Sequence, residues 1–141
     1  MEMQIVTLRR PLTVFKKVKA VSDSWIVADK RTVIEMKVPT GSRIVIPRIE
    51  GLRPLSQEYM RAYEELNTEQ GKSRAERARV VSRTKDSGKR PLFSIQKAYT
   101  QLRYEVGKRV VPHNGFSANA VQCAAGIHCF LTRGKARRYD L

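Results

Sequence analysis

The sequence predicts an α+β domain: a mostly antiparallel twisted sheet, one central amphipathic helix and a short C-terminal helix. Three observations predict it. From Thr32 to Val38 apolar and polar residues alternate, the period of a half-buried strand. From Tyr59 to Leu66 the apolar period changes to that of a helix. The length, 141 residues of which 41% are hydrophobic, suits one ordinary core and not two. The whole chain, 1–141, therefore reads as a single domain.

The elements follow in order. Thr13 to Val21 is a strand, with Phe15, Val18 and Val21 set among lysines. Trp25 to Ala28 is a short β-rich run, and Asp29-Lys30 a tight turn. In the next strand Ile34, Met36 and Val38 share one face, and Val33, Glu35 and Lys37 the other. Pro39-Thr40-Gly41-Ser42 breaks it, and Arg43 to Ile46 is a further strand ended by Pro47. Ser56 is the N-cap of a helix over 56–67, with Leu55 and Met60 placed as a hydrophobic staple. Gln57 and Glu58 suit its positive end, and Asn67 to Gly71 ends it.

Beyond Gly71 the pattern is mixed. Ser73-Arg74-Ala75-Glu76 has capping-box spacing, while Ala78, Val80 and Ser82 alternate with Arg79, Val81 and Arg83. The expectation is a short helical or irregular lead into a strand at 78–82. Residues 84–91, TKDSGKRP, form a basic loop by composition, the segment expected to be mobile. Phe93 to Val106 fits a helix or two short strands. Lys108 to Val111 is a strand, followed by a loop at Pro112-His113-Asn114-Gly115. Val121 to Leu131 is nearly all apolar, which predicts a buried strand. Thr132 caps a last helix ending near Tyr139. The predicted core is Ile34, Met36, Val38, Ile44, Ile46, Met60, Tyr63, Leu66, Ile127 and Phe130, with His128 as a satisfied buried histidine.

Charge is the strongest functional signal. Twenty-eight Lys and Arg against 13 Asp and Glu leave a net charge of +15. Residues 70–110 hold twelve basic side chains and three acids, and from Val106 to Tyr139 there is no acid. Such an excess attracts anions: nucleic acid, lipid headgroups or acidic protein faces. Charge density alone selects Lys72, Arg74, Arg77, Arg79, Arg83, Lys85, Lys89, Arg90, Arg133, Lys135, Arg137 and Arg138 as contacts to an acidic protein or nucleic acid. No apolar run approaches the ~18 residues of a membrane span, and the first residues do not read as a signal peptide. The expected location is therefore inside a cell, not secreted. The oligomeric state is left open.

The sequence offers little chemistry. His113, His128, Cys123 and Cys129 are four potential zinc ligands. However, His128 and Cys129 are adjacent, so a strand would point them to opposite faces, and C-x5-C is not the usual spacing. Two cysteines do not make a disulfide scaffold, so buried reduced thiols are the simplest reading. A Cys123–His128 or Cys129–His113 nucleophile pair stays open at this point. Gly71-Lys72-Ser73 lacks the upstream glycine of a phosphate loop. Tyr99, Tyr104 and Phe93 among basic residues could stack nucleobases, but aromatics make up only 7% of the chain and the core claims most of them. No catalytic residue, metal or cofactor is predicted.

The C-terminal half carries a resemblance. GKSRAERARVV at 71–81 leads to YEVGKRVVP at 104–112. Then come Cys123-Ala124-Ala125-Gly126-Ile127-His128-Cys129-Phe130-Leu131-Thr132, Ala136 and Tyr139. This order resembles an uncharacterised domain encoded by large DNA viruses and phages, sometimes attached to pentapeptide repeats. The hallmark of that domain is a Cys-x-x-Gly-Ile-His-Phe-Phe strand before a short capped helix. Here the motif strand is Cys123, Gly126, Ile127, His128 and Phe130. Val33 to Pro39 resembles the family's strand ending in proline. The likeness covers roughly residues 12–141 and is specific only in the last forty. Two departures stand out: Cys129, where the family favours an aromatic, and Arg133-Gly134-Lys135, where it favours acids. The resemblance implies a viral accessory or minor virion structural protein, located in the virion or the host-cell interior, and supplies no catalytic residues. Gly126 to Phe130 with Ala136 and Tyr139 is also similar to a strand-helix unit of ADP-ribosyltransferases. Their upstream His or Arg strand and downstream catalytic Glu have no counterpart here, so a shared architecture is implied and the activity is not.

Overall fold

The structure, a computed structural model, describes residues 1–20, 30–83, 92–94, 103–112 and 114–139. Among these residues two antiparallel sheets and two helices make up an α+β fold. The strands are β1 (Met3–Thr7), β2 (Leu12–Ala20), β3 (Lys30–Val38), β4 (Arg43–Pro47), β5 (Ser73–Ala75), β6 (Ala78–Arg83), β7 (Leu92–Ser94), β8 (Arg103–Tyr104), β9 (Arg109–Val110) and β10 (Ile127–Cys129). The helices are α1 (Gln57–Glu65), between β4 and β5, and α2 (Arg133–Arg138), after β10. One sheet runs β1-β4-β5-β10 and the other β8-β7-β2-β3-β6-β9. Phe15 on β2 joins them: its N–H donates to Phe130 O (2.8 Å) and its carbonyl accepts from Phe130 N–H (2.7 Å).

Where the sequence carries a clean local period, the structure follows it. Ile34, Met36 and Val38 are fully buried in the main core with Ile44, Ile46 and Ile127. Val33, on the other face of β3, is buried too, because α2 covers it with Ala136 and Phe130. The turn after β3 has its Ser42 N–H donating to Pro39 O (3.1 Å). Gly41 sits there at φ +86°, a conformation glycine adopts without strain.

In α1, Ser56 Oγ accepts from Tyr59 N–H (3.2 Å), and the helix ends at Glu65, inside the expected 56–67. Tyr59 and Tyr63 are fully buried, and each hydroxyl has a partner. Tyr59 donates to Pro47 O (2.6 Å). Tyr63 donates to Gly71 O (2.6 Å) and accepts from Leu131 N–H (3.0 Å). Met60 and Leu66 pack on the core only partly buried. Thr132 caps α2, and Tyr139 closes it.

Two expectations are corrected, and one strand is added. Met3–Thr7, unassigned from sequence, is a strand paired along its whole length with β4. Residues 73–75 are a strand, not a helical lead: Glu76 does not cap a helix but pairs with Arg43 of β4, Oε2 to Nη2 at 2.7 Å. The apolar stretch 121–131 is not one buried strand, since only Ile127–Cys129 is strand and Cys123 is exposed. Of 93–106, the described ends are strands, β7 and β8. The expected elements at 25–29 and the loop at 84–91 lie outside the described residues, as does His113.

Candidate polyanion interface

The motif strand positions structure more than chemistry. Its neighbour β5 carries Arg74, whose residue is fully buried. The guanidinium donates to four backbone carbonyls of the segment before β10: Ser117 O (2.5 Å), Asn119 O (2.5 Å), Val121 O (2.9 Å) and Ala125 O (2.9 Å). The Phe116 ring lies 5.4 Å from it. Arg74 is thus the centre about which 116–125 is wound, which is why that apolar stretch does not extend as a strand. Gly126 makes the approach possible: its φ is +156°, and a Cβ there would meet Arg74 Cβ at 3.1 Å and the Phe116 ring at 3.3 Å.

His128 is half-buried, not buried, and its Nε2–H donates to Ala124 O (2.9 Å). Burial, then the charges of Lys16, Arg74 and Lys72, hold its pKa below the usual histidine range. Cys129 is buried, and burial pushes its thiol up to about 12, which leaves no thiolate at neutral pH. Lys16, half-buried on the core-facing side of β2, donates to His128 O (2.7 Å). Burial lowers its ammonium to about 8, against a raising contribution from Cys129. Among the described residues no three potential ligands converge on a metal site.

The predicted contact residues divide. Arg74 and Lys135 are corrected: both are buried with their donors used inside the chain, so neither meets a partner. Lys135 Nζ donates to Glu64 O (2.7 Å) and to Leu66 O, the carbonyls that end α1. Lys72 is half-buried, paired with Glu69 (2.7 Å) and 4.8 Å from the Tyr139 ring. Arg83 is half-buried. Arg133 lies 5.0 Å from the Phe15 ring and pairs with Glu35 at 3.4 Å. Arg77, Arg79, Arg137 and Arg138 are exposed, with Arg77 Nε donating to Ser42 Oγ (3.0 Å) and Arg138 near Glu64 (3.7 Å). Lys85, Lys89 and Arg90 lie outside the described residues.

The structure adds a feature that charge density along the chain does not reveal. On the face of the second sheet turned away from the core, Lys37 of β3 stands directly opposite Arg79 of β6. Arg79 in turn stands opposite Arg109 of β9. All three are exposed. Neighbouring strands lie about 4.8 Å apart, so the row spans about 10 Å at the backbone. Among the described residues none of the three has a carboxylate partner; Arg79 reaches only Gly107 O, at 3.5 Å. Like charges directly opposite in a sheet cost roughly 0.2–1 kcal/mol per pair. Two such pairs stand side by side here, and among the described residues no carboxylate offsets them.

α2 packs on the same face farther along β2 and β3, over Phe15 and Val33, and brings Arg133 and the exposed Arg137 and Arg138 alongside. Sequence reasoning missed Lys37 and Arg109 as contacts. The outward place of Lys37 in the alternation of β3 was the available signal, whereas its neighbours come from strand pairing.

Among the described residues no helix is long and apolar enough to cross a membrane. No curated protein and no solved structure matches the chain. Residues 4–136 match a family of unknown function, DUF5758, and over that near-complete span the protein belongs to it.

Proposed function

We propose that the chain is a non-enzymatic docking module, a viral accessory or minor virion structural protein. Its basic face holds it against a polyanionic partner, an acidic protein surface or nucleic acid. The observation that carries this reading is the row Lys37–Arg79–Arg109, three exposed cations abreast without carboxylate partners among the described residues. The viral setting rests on the resemblance of the 123–132 motif. The chemistry of the motif strand supports a structural role, since Cys129 is buried and protonated and His128 is bonded to backbone.

The test has two parts. Labelled poly-L-glutamate and a labelled nucleic-acid duplex are titrated with the domain from low to physiological salt. Binding of at least one that persists at physiological salt is expected, and loss of both would overturn the docking role. Mass spectrometry of purified particles from cells producing the chain is expected to find it among their components. Its absence from particles would overturn the virion role and favour a nucleic-acid-binding module acting in solution.

A further inference from the structure

From the same basic face, and resting on the docking reading above, we infer that the partner is double-stranded nucleic acid. It is gripped through its phosphates by Lys37, Arg79 and Arg109, without readout of base sequence. The three cations form a straight row set by strand register, two of them arginines whose planar forks match phosphate oxygens. A row of evenly spaced charge complements a backbone that repeats its charge evenly.

The surroundings point the same way. Interfaces between proteins are depleted of charge at their centre, while interfaces with nucleic acid are basic throughout. Here the row runs from β3 to the edge strand β9, and Arg133, Arg137 and Arg138 of α2 lie farther along the same face, with Glu35 taken up by Arg133. Among the described residues, the aromatic side chains on this face are occupied. Phe15 lies beneath Arg133, and Tyr139 packs on Phe130 at 5.4 Å between ring centroids. Among the described residues this favours phosphate contact over base stacking as the mode of grip.

The test uses fluorescence anisotropy with a labelled 20-base-pair DNA duplex and labelled poly-L-glutamate, over a salt series. Three proteins are compared: the unaltered domain, the row variant Lys37→Gln/Arg79→Gln/Arg109→Gln, and a charge-matched control, Arg48→Gln/Arg53→Gln/Arg61→Gln, from exposed positions around α1. Duplex affinity is expected to fall at least tenfold in the row variant and less than threefold in the control. The log–log salt slope should drop by about one per residue removed from the row.

Equal losses in both variants would overturn the assignment of the site to the row. Poly-L-glutamate binding as tightly as duplex, and lost with the row, would overturn nucleic acid as the partner while leaving the docking module standing. Failure of both polyanions at physiological salt would overturn both readings. Thermal melting guards the comparison, because removing like charges from exposed strand positions is expected to leave the midpoint unchanged or raised. Should the triple variant unfold, the three single substitutions carry the same test, each with a slope drop of about one.

Discussion

The ammonium of Lys135, in the first turn of α2, donates at 2.7 Å to the backbone carbonyl of Glu64 in the last turn of α1. It also donates to Leu66 O. A lysine near a helix N-terminus opposes the dipole of its own helix. Here it serves the negative end of another helix, whose last turn contains no basic residue. Lys17 of β2 does the same for α2, donating to Arg137 O (2.7 Å) and Tyr139 O (2.8 Å). Each helix is therefore closed by a cation from elsewhere in the sequence.

Replacing Lys135 by Met should keep most of the buried volume and orphan both carbonyls. Leaving buried acceptors unpaired costs roughly 1–3 kcal/mol each at most, so a loss of about 2 kcal/mol is expected. Urea denaturation measures it. A change below about 0.5 kcal/mol would show that water replaces the ammonium without penalty.

Arg74→Met tests the carbonyl cage. The substitution removes the donors to Ser117, Asn119, Val121 and Ala125 while filling part of the space. Amide hydrogen exchange across 116–126 should accelerate strongly, and the domain should lose about 3 kcal/mol. Arg74→Lys should not rescue it, because one ammonium cannot span four divergent carbonyls. Exchange unchanged in 116–126 would refute the organising role of Arg74.

Gly126→Ala asks for a Cβ where Arg74 Cβ would be 3.1 Å away, on a backbone at φ +156°. Strain and overlap together should cost about 2–3 kcal/mol. Gly134→Ala is the contrast. Its added Cβ would meet nothing closer than Arg138 Nη2 at 3.6 Å, so helix propensity should raise stability by up to about 1 kcal/mol. Melting of the two variants in parallel checks both directions.

Stability should respond to alkaline pH in two opposed steps. Lys16 titrates near 8 in the folded chain against 10.5 when unfolded, so in that window the unfolded chain binds the extra proton and stability rises with pH. Cys129 titrates near 12 when folded against 9.0 when unfolded, so the folded chain holds the extra proton and stability falls above 9. A rise on the order of 1 kcal/mol between pH 8 and 9, flattening above, is expected from denaturation at fixed pH steps. Lys16→Met should abolish the rise. A rise that persists in that variant would place its origin elsewhere.

Much of the fold was legible because it is local. The alternation of Thr32–Val38, the turn at Pro39–Ser42, and the caps Ser56 and Thr132 each depend on a few consecutive residues. β5 and β10 were less legible, since three residues are too few to carry a period. What makes Ser73–Ala75 a strand is its place between β4 and β10. The fate of 116–125 was illegible for a related reason: its carbonyls turn toward Arg74, more than forty positions earlier. The same holds for the candidate site. Net charge marked the 72–90 and 133–138 stretches, yet Arg74 and Lys135 spend their charge inside the fold, while Lys37 and Arg109 become neighbours of Arg79 only through strand register.

The bridge between Phe15 and Phe130 bears on biosynthesis. The strand that anchors the second sheet is made early, but its partners on this side, Phe130 and the main chain at His128, Arg137 and Tyr139, are made more than a hundred residues later. On the ribosome, β2 and β3 can pair as a hairpin, but until those residues emerge the hairpin's outer apolar face around Phe15 and Val33 lacks α2 as its cover. Closure of so long a loop is slow, and exposed strand surface invites association in the interval. Yield of soluble protein should therefore depend on synthesis proceeding past Tyr139 before neighbouring nascent chains meet.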